Sequence, residues 1–110
     1  MGRGKVFECE ITVSSGVKEK LIRKHNIEIW EIEEVIYDDS YAFSITHKDC
    51  YFIYGQIFSG RYLLVLVRIL SPKEVRELGF NPGTNVIKIV TARDMNTKQR
   101  KKYIERKGSK

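Results

Sequence analysis

The chain has 110 residues and a net charge of +6 at neutral pH, a length that fits one domain, residues 1–110, with a single two-layer core and excludes a second domain of any size. Its longest unbroken apolar run, Tyr62-Leu63-Leu64-Val65-Leu66-Val67, is far short of the roughly twenty residues that cross a bilayer, and Met1-Gly2-Arg3-Gly4-Lys5 leads into an alternating segment with no signal-peptide stretch, so a cytoplasmic protein is expected. Cys9 and Cys50 lie in no Cys-x-x-Cys or Cys/His cluster, and His25 and His47 have no acidic or thiol partner at ligand spacing; no metal or other cofactor is expected, and two reduced thiols are preferred to a disulfide.

From Val6 to Val13, Phe7, Cys9, Ile11 and Val13 alternate with Glu8, Glu10 and Thr12, the pattern of a strand with one buried face. Ser14-Ser15-Gly16 is a helix start, and Val17, Leu21 and His25 recur at helical spacing among Lys18, Lys20, Arg23 and Lys24, which predicts a short basic helix ended by Asn26. A second helix is predicted from Glu28 to Tyr37, with Ile29, Ile32, Val35 and Ile36 as its apolar stripe and Glu28, Glu31, Glu33 and Glu34 away from it or in the first turn; a strand around Ile29 to Ile32 is the alternative. The acidic excess of residues 26–50 would turn a nucleic acid away from this helix.

The middle of the chain reads as sheet. Tyr41 to His47 alternates, Lys48-Asp49 turns, Cys50 to Phe58 is a second run, Ser59-Gly60 is a two-residue connection, and Arg61 to Leu70 is almost wholly apolar, as a central strand buried on both faces should be. Ser71-Pro72-Lys73-Glu74 is a capping box that starts one or two helical turns stopped by Gly79. Asn81-Pro82-Gly83 turns the chain into a buried strand, Asn85 to Thr91, and a polar helix from about Asn96 to Lys107 follows, anchored only by Met95, Tyr103 and Ile104, with 107–110 as a disordered basic end.

The excess charge is confined to the segment from Arg93 to Lys110, which holds eight basic against two acidic residues. A basic block behind a neutral domain points to a polyanion such as RNA or DNA.

Three motifs in order, Lys24-His25-Asn26-Ile27, Gly60-Arg61-Tyr62-Leu63, and Ile89-Val90-Thr91-Ala92-Arg93 with Tyr103 ten residues further on, resemble the BrnT-type toxins of bacterial type II toxin-antitoxin systems. The family pattern runs Lys-His-Gly-Val, an acidic-rimmed helix ending in Asp, Gly-Arg-x-Leu-x-Val, Ile-Ser-Ala-Arg and a helix containing Glu and Tyr, and the resemblance spans roughly residues 17 to 106. It implies an α+β, RelE/ParE-like fold in which two N-terminal helices pack on a curved, mainly antiparallel sheet of four to five strands, with a C-terminal basic helix. It further implies a metal-independent endoribonuclease that acts on RNA and is neutralised by a ribbon-helix-helix antitoxin, whose dimer would gather toxins into a hetero-oligomer. The chain departs from the pattern at Asn26, where glycine is usual, at Gln99, where glutamate is common, and in the longer connection from Ser71 to Thr84. A non-catalytic module of the same fold that binds nucleic acid or protein is the alternative, with Gln99 as its sign.

Metal-free RNA cleavage needs a proton acceptor for the 2′-hydroxyl, cations for the charge that grows on phosphorus, and a proton for the leaving 5′-oxygen. An imidazole is the side chain that ordinarily exchanges a proton near neutral pH, so His25 suits the first or last role, against a plain helix-end packing role. Arg61 and Arg93, both at strand ends, can hold one phosphate from two sides, against an ion pair of either with the acidic helix. Tyr103 offers a proton or a stacking face, against an anchoring role. Lys24, Lys98, Arg100, Lys101 and Lys102 are the expected RNA-binding cations. Arg68, inside an apolar strand, calls for a carboxylate partner from Glu8, Glu10 or the second helix; Trp30 is expected in the core or at an antitoxin interface, and His47 outside the site.

Overall fold

Alternating and apolar segments become strands, and their short connections fix how they pair. The computed structural model describes residues 9–108. The strands are β1 Glu10–Thr12, β2 Phe43–His47, β3 Cys50–Gln56, β4 Tyr62–Ile69 and β5 Val86–Asp94, in one mixed sheet of order β1-β5-β4-β3-β2. Strands β2 to β5 run antiparallel as a meander and put the apolar β4 at the centre, whereas β1 joins the far edge parallel to β5. The fold is therefore α+β. Residues 6–8 of the expected first strand lie outside the described residues. The β3–β4 connection is longer than the predicted Ser59-Gly60: the Ile57 and Arg61 backbones close it at 3.0 Å, and Gly60 takes a φ of +103° that a side chain would oppose.

Four helices are present among the described residues. Ser14 caps α1, Ser15–His25, and Asn26 ends it in the left-handed conformation, which asparagine accepts more readily than most residues. A Glu28–Glu31 capping box opens α2, Ile29–Glu33, which continues as a π-helical stretch, Glu34–Asp38. The expected single helix thus carries a widened turn, closed by the Asp39 N–H on the Glu34 carbonyl at 3.1 Å. The predicted Ser71–Glu74 box caps α3, Pro72–Glu77, and α4 runs Thr97–Gly108. Lys107 and Gly108 are helical, which corrects the disordered end expected for 107–110; residues 109–110 lie outside the described ones.

The pleat sends alternate side chains to two faces. On the first, α1, α2, the link between them and the π-helical stretch cover Ile53, Leu63, Val65, Val67 and Ile89 with Leu21, Ile27, Ile32, Val35 and Ile36, all at most 2% exposed. Each such side chain contributes about 1.5–3 kcal/mol by leaving water. Gly55 lets the π-helical stretch approach β3, because a Cβ there would collide with the Val35 side chain. On the second face, α4 packs Met95 and Tyr103 on Phe43, Tyr54 and Leu64, and α3 packs Val75 on Leu70 and Val86. Between α3 and α4 that face stays open.

Arg68 does find a carboxylate, but it is Glu74 of α3 at 3.0 Å and not any of the three expected partners, because Arg68 points to the second face. Trp30 is outside the core, at 56% exposure. Cys9 and Cys50 are not joined in a disulfide.

Candidate nucleic-acid interface

Arg61 stands at the start of β4 and reaches into the junction of α1, α2 and β5. Its Nε and Nη2 donate to Asp94 Oδ1 and Oδ2 at 2.6 and 3.1 Å, Nη1 donates to the Asn26 carbonyl at 2.8 Å and to Glu31 Oε2 at 3.2 Å, and Nη2 donates to the His25 carbonyl at 2.8 Å. A guanidinium has five N–H groups, and these contacts engage them all. The cation meets the carbonyl end of α1, where the helix dipole favours positive charge. Its hydrogen bond and charge hold the Asp94 carboxyl below its usual pKa against the opposing effect of burial, with His25 and Arg100 adding to the same pull. Arg61 therefore ties three elements together, and the ion pair with the acidic helix is present.

Arg93 lies one residue from Asp94 and so points to the other face of the sheet, where its strand partner is Leu64. The two arginines do not converge on one phosphate. Arg93 is exposed and its Nη1 donates to the Asp94 carbonyl at 3.0 Å and to Gln99 Oε1 at 3.2 Å. Gln99 is held in turn by Asn96: the Gln99 N–H donates to Asn96 Oδ1 at 2.8 Å and the Asn96 N–H to Gln99 Oε1 at 3.0 Å. This is a capping box at the start of α4, a geometry open to glutamine and glutamate alike.

Tyr103 is 1% exposed, stacked beside Phe43 and edge-on to Tyr62, and its hydroxyl donates to Asp39 Oδ2 at 2.8 Å. Burial and the Asp39 charge push the phenol pKa far up, so its proton is held. Asp39 also accepts from the Gln56 N–H at 2.8 Å and the Tyr41 N–H at 3.0 Å. Tyr103 is an anchor.

His25 is half-buried at the last turn of α1, on the Arg61 side, and Lys24 beside it is exposed. The basic residues of α4 divide between two sides. The Lys102 ammonium lies 5.7 Å from the Tyr54 ring centroid and the Arg106 guanidinium 4.0 Å from that of Phe43, so this side borders the open part of the second face; Lys98, one turn before Lys102, belongs to the same stripe. Arg100 lies toward Asp94 and His25, and Lys101 is exposed.

The open surface escaped the sequence reading. It presents half-buried Ile45, Phe52, Leu66 and Lys88 and exposed His47 and Thr91, with the His47 and Phe52 rings 5.6 Å apart. Arg93 and the Lys98–Lys102–Arg106 stripe border it at one end, Arg68 at the other. Aromatic faces on a sheet beside cations accept stacked bases and their phosphates together. A signal was available: β2 and β3 carry Ile45, His47, Phe52 and Tyr54 at period two, but which of these α4 covers depends on where that helix lands. Among the described residues no group of three or more His, Cys, Asp or Glu side chains gathers as a metal site would, and no helix is long and apolar enough to cross a membrane.

Compared with protein-family models and with curated proteins, the chain has no match.

Proposed function

We propose that the chain binds single-stranded RNA on the open second face of its sheet and is a metal-independent endoribonuclease toxin, of the BrnT type in a RelE/ParE-like arrangement, neutralised by a ribbon-helix-helix antitoxin. One observation carries the RNA part: an uncovered aromatic strip, Phe52 and His47, bordered by Arg93 and by the cationic edge of α4. Bases stack on the rings while phosphates meet Lys98, Lys102 and Arg93, and the acidic α2 lies on the other face, where it does not oppose the strand. Support for the toxin part is the order of the three motifs in the sequence, which the described elements carry at the end of α1, the start of β4 and the end of β5.

For the cleavage step the strip supplies the His47 imidazole and Arg93 as its exposed arginine, while His25, at the end of α1 across the sheet, takes no part. The 2′-hydroxyl gives its proton to the His47 imidazole as its oxygen attacks phosphorus, the P–O5′ bond breaks, and the leaving oxygen takes that proton back from the imidazolium. The test is incubation of the pure protein with single-stranded RNA in EDTA: cleavage that survives in wild type and is lost in Arg93→Ala supports this reading, and cleavage unchanged by Arg93→Ala and by Phe52→Ala sinks it.

A second reading has an observation of its own. Arg61 has its donors engaged and Tyr103 holds its proton, as a non-catalytic RNA-binding module allows. RNA binding with a steep salt dependence and no cleavage selects that module.

A further inference from the structure

Away from the open sheet face, three aromatic side chains stand in solvent around one acidic groove. Trp30 is 56% exposed, Phe58 89% and Tyr41 42%. Trp30, Tyr37 and Phe58 line a groove of about 420 Å³ together with Glu33, Glu34 and Asp38, and it runs on past Glu34, Asp38 and Phe58 to Tyr41 and Lys107.

Phe58 is no loose loop tip. Its N–H donates to Glu34 Oε2 at 2.7 Å, the preceding Ile57 is 3% exposed, and the Ile57–Arg61 backbone contact closes the turn behind it. A ring presented outward from a fixed backbone makes a binding anchor with only its own rotamer left to order. The chain itself displays what this surface accepts. At its far end the Lys107 ammonium sits 5.1 Å from the Tyr41 ring centroid and 5.9 Å from that of Tyr103.

We propose that this groove docks a basic, amphipathic segment of a partner protein, whose apolar side chains cover Trp30 and Phe58 while its Lys or Arg side chains pair with Glu33, Glu34 and Asp38. Both halves of that chemistry are needed. Carboxylates repel a nucleic acid backbone, so RNA is not the occupant, and a purely polybasic chain would leave the two rings in water. The groove shares no residue with the open sheet face, so this inference stands apart from the RNA reading.

Trp30 is the only tryptophan, and its emission reports the groove directly. The probe is a synthetic helical peptide of Leu and Lys at amphipathic spacing, with an Ala–Lys peptide of the same length and a single-stranded RNA as comparisons. The Leu–Lys peptide is expected to shift Trp30 emission to the blue saturably and to bind at least tenfold tighter than the Ala–Lys peptide. Phe58→Ala, which removes an exposed ring and leaves the core intact, and Glu33→Lys are each expected to weaken it at least tenfold, with RNA binding unchanged. Equal binding of the Ala–Lys peptide, undiminished binding by both variants, or a blue shift on adding RNA or on concentrating the protein alone overturns the proposal.

Discussion

Tyr103 and Asp39, 64 positions apart in sequence, meet where the phenol donates to Oδ2 at 2.8 Å. The same carboxylate takes the Gln56 N–H, so one acidic side chain ties α4, β3 and the end of the π-helical stretch together. The contact turns the residue that resembles a catalytic tyrosine into a buried strut. Tyr103→Phe should lower stability by about 1.5–3 kcal/mol, the usual worth of a hydrogen bond to a charged group, and should leave RNA cleavage per folded molecule unchanged. Because the native phenol keeps a proton that the unfolded chain gives up above about pH 10, wild-type stability falls with rising pH there, and the variant should show a shallower fall in alkaline melts.

Arg61 carries the same lesson with charge. Arg61→Ala leaves the Glu31 carboxylate, only 10% exposed, with the Glu28 N–H but no cation, and strips the donor from two carbonyls at the end of α1. The expected cost is about 2–4 kcal/mol, below the full value for a buried pair because the guanidinium is partly in water. Asp94→Asn gives the pH signature. Its native pKa is depressed, so the contribution is complete above the unfolded value near 4 and disappears as pH falls through the native one. Denaturation curves of wild type and Asp94→Asn should therefore differ at pH 7 and converge in acid.

Gly55 is a third structural point with no chemistry attached. A methyl group there meets Val35, which is fully buried and has no room to retreat, and approaches Asp39 Oδ2. Gly55→Ala should destabilise by about 1–3 kcal/mol, as overpacking does, and should loosen the Asp39–Tyr103 contact; a melting temperature equal to wild type would refute the close approach.

What the sequence made legible was local. Period two and turn residues marked β2 to β5, the Ser71–Glu74 box marked α3, and Asn26 marked the end of α1, because each depends on residues a few positions apart. The parallel pairing of β1 with β5 was hidden, since nothing near Glu10 encodes contact with Val86. The π-helical turn was hidden too, because one inserted residue in an apolar stripe barely alters its spacing. The candidate site suffered most. Arg61 finds Glu31 and Asp94 only in three dimensions, and the pleat that separates it from Arg93 by one residue's parity in β5 fixes the faces only once the register is known.

Gln99 then becomes a test of a substitution that looked like lost chemistry. As the third residue of α4 it caps Asn96 and orients Arg93. Gln99→Glu keeps the capping geometry and adds a negative charge at the helix start, which should stabilise by about 0.3–1 kcal/mol. If the capping role is the whole of it, cleavage or RNA affinity should stay within twofold of wild type; a tenfold gain in cleavage would instead assign a carboxylate at this point to the reaction.

The open sheet face makes the most direct prediction. Phe52→Ala removes a stacking ring without touching a cation, and Lys102→Ala removes a cation from the stripe beside Tyr54. The first should cost about 1–3 kcal/mol of affinity for single-stranded RNA with the salt dependence unaltered. Lys102→Ala should weaken binding at low salt and reduce the slope of log affinity against log salt by about 1. Lys24→Ala, on the exposed side of α1 by Arg61, should do neither, because that end of α1 lies across the sheet from the strip. Titration of a labelled oligonucleotide at several salt concentrations distinguishes the three, and equal losses from Lys24→Ala and Lys102→Ala would mean that RNA follows net charge and not the sheet face.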